Sequence, residues 1–175
     1  MSSQTTATTK IRTFVSRRSA LLADRIEEGA ALLAAFAEGL SEEEWRTPVS
    51  RTDRRSVGLI VHHVASMYPI EIDVARAIAA GKAVTEVTWE AVAQLNVQHA
   101  HEHAEETKTS ALELLRRNSR EAADAVREFT DEELDRAAPF SLSFGAPVTA
   151  QFVIEDHALR HSWHHLAQIR KAVSR

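Results

Sequence analysis

His63, His161 and His165 are the residues in this sequence whose type and spacing could do chemistry. Each falls within the apolar stripe of a predicted helix. A neutral imidazole there needs a hydrogen-bond partner or a metal, because an unpaired buried polar group costs about 1–3 kcal/mol. With successive residues about 100° apart, Leu59, Ile60, Met67, Ile70, Val74 and Ile78 define a stripe centred near His63, and His62 falls at its edge. On the last helix Ile154, Ala158, Ile169 and Val173 mark the inner face, with His161 and His165 one turn apart inside it. That spacing presents two nitrogens to one ion. Two imidazoles from one helix and one from another leave coordination positions open for water or substrate, as catalytic centres do. Imidazole suits Zn²⁺ or Ni²⁺ among the divalent ions. The competing reading makes these ordinary core histidines, satisfied by serines and backbone carbonyls; the coincidence of all three with stripe positions favours one divalent metal.

The remaining histidines carry weaker signals. His99 and His103 are also four apart and share a face with Trp89, Val92, Leu95 and Asn96, so they could add a ligand or line a pocket, with a solvated or hydrogen-bonded role favoured. His101 points away from them and is assigned to the surface. His157 and His164 lie at the edge of the last helix's inner face, as rim residues or partners of the ligands. Tyr68, Asn96 and Gln168 complete the polar groups expected to orient ligands or substrate. Other metal motifs fail on spacing: His101-Glu-His-Ala-Glu105 ends in the wrong residue for a zincin, and no histidine has the glutamate three residues before it that a di-iron bundle requires. Bis-histidine haem ligation stays open as a minor option, without c-type attachment cysteines.

The elements that must position these side chains read as helices. Ile11, Phe14, Val15, Leu21, Leu22, Ile26, Ala30, Leu33 and Phe36 predict a helix from about Lys10 to Leu40, with Gly39 near its stop. Ser41-Glu-Glu-Glu44 opens a short capped turn, followed by an exposed connection over Pro48 to Arg55. A second helix runs from the N-cap Ser56 to Ala80, stopped by Gly81, with a kink expected at Pro69. A third helical region spans Thr88 to Phe129, with Thr107–Ser110 offering a new N-cap. Thr130-Asp-Glu-Glu133 repeats the capping signal, Ala138–Val148 reads as an irregular loop with some strand character, and Thr149 caps a final helix to Val173. The fold class is all-α, a four-helix bundle with long connections, in a single domain over 10–175 preceded by a disordered 1–9 segment.

Composition narrows the function. A net charge of −4 over 175 residues argues against nucleic acid, because phosphate binding needs a concentrated basic face. With no cysteine, thiolate ligands, disulfides and a protein thiol nucleophile are excluded. No apolar run approaches a membrane span or a secretory signal, so a cytoplasmic protein without membrane contact is expected.

Two segments together, Ser56-Val-Gly-Leu-Ile-Val-His-His63-Val-Ala and His157-Ala-Leu-Arg-His161-Ser-Trp-His-His165-Leu-Ala-Gln-Ile-Arg170, resemble the DinB-like (YfiT-like) superfamily of metal-binding four-helix bundles. The resemblance extends over nearly the whole chain. It implies that one histidine of the second helix and both of the last helix's His-x-x-x-His bind a divalent metal, which falls on His63, His161 and His165. It further implies small-molecule substrates, homodimers, and in some members S-transfer or isomerisation dependent on bacillithiol or mycothiol. The doubled His62–His63 departs from the family pattern. The function expected is a metal-dependent transferase that activates a low-molecular-weight thiol, with a metal-dependent hydrolase or a non-catalytic metal- or ligand-binding bundle as alternatives.

Overall fold

The computed structural model describes residues 16–174. The expected disordered segment 1–9, and the apolar positions Ile11, Phe14 and Val15, lie outside them. Helix α1 spans Arg17–Glu38, and Ser16 caps it by accepting the Ser19 amide. The short α2, Glu42–Arg46, carries the capping box read in the sequence, Ser41 with Glu44. Helix α3, Val57–Ala79, starts at the N-cap Ser56 and ends before Gly81, whose φ of 73° needs a residue without a Cβ penalty. Pro69 sits inside α3.

The third helical region is two helices. Helix α4 is Trp89–Glu102 and α5 is Lys108–Arg127, with Thr107 capping α5 at the break foreseen there. Only α5 joins the bundle: it packs on α1 and α3, whereas α4 contributes no buried residue. The apolar face expected on α4 is out in solvent, with Trp89 and Leu95 exposed. Helix α6, Asp131–Asp135, has the second capping box, Thr130 with Glu133. The stretch expected as an irregular loop is a small antiparallel hairpin, β1 (Ala137–Pro139) on β2 (Pro147–Thr149).

The last helix is continuous but not uniform. Helix α7, Ala150–Val153, passes into a π-helical segment, Ile154–Leu159, and then into α8, Arg160–Val173. A π-turn admits one more residue per turn, so the inward face is re-phased across it, and such turns recur at functional sites. Below it the buried positions are Ser162, His165, Leu166, Ile169 and Ala172 rather than a stripe ending on Val173.

The stripe on α3 also differs from the expected one. Ile70 is exposed and Met67 half-buried, while Tyr68, Glu71, Ile72 and Ala75 are buried. The cause is that α3 packs on α5 and on the last helix at once, burying two flanks instead of one. Polar ties fix this position: the Tyr68 and Ser162 hydroxyls are 2.7 Å apart, and Asn118 Nδ2 donates to the Ala65 carbonyl at 2.9 Å. Tyr68 is therefore a core residue holding α3 to α8, its hydroxyl kept protonated by burial.

Gly58 shows how tightly α3 enters the bundle. A Cβ there would lie 2.7 Å from Trp45 Cζ2 and nearer still to the indole nitrogen, and Trp45 is itself buried. By helix propensity Gly58→Ala would stabilise by about 1 kcal/mol. We expect the opposite sign, a loss of about 1–3 kcal/mol from overpacking against a fixed ring. Urea unfolding of the variant checks it; unchanged or raised stability would contradict the close approach.

Candidate metal centre

Helices α3 and α8 face each other across the bundle end that carries the histidines. His63 from α3 and His161 and His165 from α8 each bring one ring nitrogen within 4.8 Å of the other two. His161 Nε2 and His63 Nε2 are 3.2 Å apart. Two ligands of a tetrahedral zinc, at about 2.0–2.1 Å from the ion, stand about 3.3–3.4 Å from each other. The pair already has nearly that separation.

The far nitrogens fix the near ones. His161 Nδ1 lies 2.7 Å from Glu71 Oε1, and His165 Nδ1 lies 2.8 Å from Gln168 Oε1. Both oxygens accept, so each Nδ1 carries the proton and donates it, and each Nε2 is left as a lone pair. Carboxylates and amides placed behind metal-binding imidazoles do this. His63 could donate one proton into the gap, as core histidines would. A single proton cannot satisfy both remaining lone pairs, and a cation can.

Electrostatics keep His63 and His165 uncharged. Burial, with the neighbouring His161 and His165, pushes the His63 imidazole down to about 2, and burial with the His161 charge takes His165 to about 3. Arg55 adds positive potential to both. It lies in the connection before α3, which is only partly the exposed loop expected: Arg55 and Asp53 are half-buried and paired, Nη2 to Oδ2 at 2.7 Å. Neutral imidazoles are the form that binds metal, so His63 and His165 are ready at physiological pH.

Glu71 escaped the sequence reading. The signal was present: an acid among the positions that α3 buries, between Tyr68 and Ile72. Glu71 is buried, and its Oε2 has no hydrogen-bond partner among the described residues. Removing its charge without its shape should loosen His161. For Glu71→Gln we expect metal affinity to fall about 10–100-fold, the usual cost of losing such a partner. A chelator competition titration reads it, and unchanged affinity would mean that Glu71 does not orient the ligand.

A cleft of about 140 Å³ opens onto His161 and His165, lined also by Glu71, Asp156, His157, Arg160 and His164. His157 and His164 thus stand at its rim, as expected, and both imidazoles are lowered by burial. His157 also packs edge-on against Phe140. A cavity of about 570 Å³ around Arg76, Phe129 and Arg136 contains none of these histidines.

His99 and His103 do not reach the trio as ligands. They form a second one with His62, the three again offering nitrogens within 4.8 Å of one another. Asn96 is half-buried on α4, and His101 is exposed.

The sequence profile of the DinB superfamily matches residues 25–169. The chain belongs to the DinB superfamily. No curated protein matches it in sequence. Among solved structures it is similar to YfiT from Bacillus subtilis, described as a probable metal-dependent hydrolase with an unusual four-helix bundle topology. The TM-score is 0.70 at 19% identity, over 93% of this chain and 90% of YfiT. The all-α bundle expected of a DinB-like chain is the fold found. No helix among the described residues is long and apolar enough to cross a membrane.

Proposed function

We propose that this DinB-superfamily chain is a divalent-metal-dependent enzyme whose ion is held by His63, His161 and His165. The observation that carries the reading is the pair of lone pairs fixed by Glu71 and Gln168 behind His161 and His165, aimed with His63 at one point. Zn²⁺ or Ni²⁺ suits three imidazoles. The bound ion would supply Lewis acidity, taking a coordinated water to a pKa of about 7 or a thiol to its thiolate.

The chain's own residues do the rest. Glu71 and Gln168 hold the ring orientations, and burial keeps His63 and His165 neutral. His157, uncharged at neutral pH, can take a proton from a nucleophile in the cleft. Arg160, in the cleft lining, offers positive charge to an anionic substrate group.

Water is the nucleophile we favour. The cleft of about 140 Å³ is well below the roughly 300–1,000 Å³ of sites that enclose larger ligands. YfiT, the similar structure, is described as a probable hydrolase. Thiol transfer to a small electrophile is the second reading, supported by the activities that the family resemblance implies and requiring an exogenous thiol in this cysteine-free chain. The deciding experiment gives the zinc- or nickel-loaded, untagged protein ester and amide substrates in one arm, and a common electrophile with bacillithiol, mycothiol, glutathione or coenzyme A in the other. Hydrolysis that disappears with the metal and in His161→Ala supports the first reading. Metal-dependent conjugation with a thiol replaces it with the second. Turnover at background in both arms, with metal bound, leaves a non-catalytic binding bundle. Homodimerisation belongs to the same proposal, and sedimentation equilibrium tests it.

A further inference from the structure

The doubled histidine on α3 serves two flanking helices. Consecutive residues on a helix point about 100° apart. His63 faces α8 and its His161-x-x-x-His165 pair; His62 faces α4 and its His99-x-x-x-His103 pair. His62 Nδ1 is 2.9 Å from His99 Nε2, and the His62 and His103 ring centroids are 4.1 Å apart. A carboxylate stands beside the group: Glu106 Oε2 is 3.4 Å from His103 Nδ1 and 4.0 Å from His62 Nε2. His62 also has the Ser66 hydroxyl 3.4 Å from its Nδ1. We propose that His62, His99 and His103, with Glu106, form a second divalent-metal site that clips α4 onto the bundle.

The donor set suits such an ion. Three imidazoles are ligands of a kind that Zn²⁺ accepts, and the nearby Glu106 carboxylate offsets part of the ion's charge. The 2.9 Å gap between His62 and His99 needs to open by only about 0.4 Å to match the ligand separation of a tetrahedral zinc. Without an ion, His99 Nδ1 is buried with no hydrogen-bond partner among the described residues, and the hydrogen bond found between the rings is His62 with His99.

The mechanical consequence follows from what else holds α4. It buries no residue, and Trp89, Leu95 and Val97 are exposed. A helix of 14 residues without a buried face has little reason to persist in water. The histidines at its C-terminal end are its link to α3. An ion shared by His62, His99 and His103 ties that end to the bundle core, so binding and ordering of α4 are the same event. His99 also lies edge-on to His63, with centroids 5.6 Å apart, so the clip sits directly beside the trio on α8.

The test counts ions and watches α4. Untagged protein stripped with chelator is titrated with Zn²⁺ by equilibrium dialysis with elemental analysis, and amide hydrogen exchange is followed by mass spectrometry. We expect two equivalents in the wild type, one in His103→Ala, one in His161→Ala, and none in the double variant. Amides of residues 89–103 should slow on zinc addition in the wild type and in His161→Ala, and not in His103→Ala. His103 is one-third exposed at the end of a helix without a buried face, so its replacement leaves the core intact; circular dichroism verifies that. Saturation of the wild type at one equivalent, or a second equivalent that survives in His103→Ala, would overturn the proposal. Failure at this site leaves His161→Ala still losing the ion on α8, whereas failure of the proposed function leaves His161→Ala binding as the wild type does.

Discussion

Replacing His161 with alanine should abolish high-affinity metal binding at the α3–α8 site, by at least about a hundredfold, with metal-dependent turnover falling to background. His161 is the hinge of the trio: its Nε2 faces His63, and its Nδ1 is held by Glu71. Alanine therefore removes a ligand and also leaves a buried carboxylate unpaired, whereas Glu71→Gln removes only the orienting partner. The order of effects, His161→Ala far larger than Glu71→Gln, is the signature of a ligand backed by an orienting acid. His101→Ala is the control, because His101 is exposed on α4 and in neither trio. Isothermal titration with Zn²⁺, with folding checked by circular dichroism, makes the comparison. If His101→Ala lost as much affinity as His161→Ala, the binding measured would be surface histidine chemistry rather than a built site.

How much of this was legible in the sequence depends on which physical signal each feature leaves. Caps are local, so Ser41, Ser56, Thr107, Thr130 and Thr149 could all be placed from a few residues. The i, i+4 pair His161 and His165 is local as well, and the helix carries it intact into the site. The π-turn at Ile154–Leu159 is not local in this sense: no residue type demands it, so the phase of α8 could not be read through it. The isolation of α4 was hidden for a different reason. Its pattern of Trp89, Val92 and Leu95 resembles a buried face, and only the packing of α5 in the third bundle position shows that this face has no partner there. Glu71 was hidden because α3 buries two flanks, which brings an acid off the single expected stripe in behind His161. His62 looked like the edge of one stripe, and it is the centre of a second contact.

The metal-free protein should lose stability steeply on mild acidification, well before its carboxylates titrate. In the unfolded chain each histidine has a pKa of about 6.5. In the folded chain burial and mutual repulsion lower His63 to about 2 and His165 to about 3. Below pH 6.5 the unfolded state binds the extra protons. The stability these neutral imidazoles allow is thus fully present above pH 6.5 and is lost as pH falls towards their folded values. Each contributes a slope approaching about 1.4 kcal/mol per pH unit, so the two together remove about 5 kcal/mol between pH 7 and 4.5. That equals much of the roughly 5–15 kcal/mol that holds a domain of this size together. Saturating metal should resist the loss at first, since ligation also requires neutral imidazole, and then release as protons win the competition. Urea titrations of chelator-stripped protein from pH 7 to 4.5 measure the slope. In His165→Gln the slope should fall by one group's share, up to about 1.4 kcal/mol per pH unit. A stability independent of pH over this window, or a slope unaltered in His165→Gln, would mean that His63 and His165 are open to water.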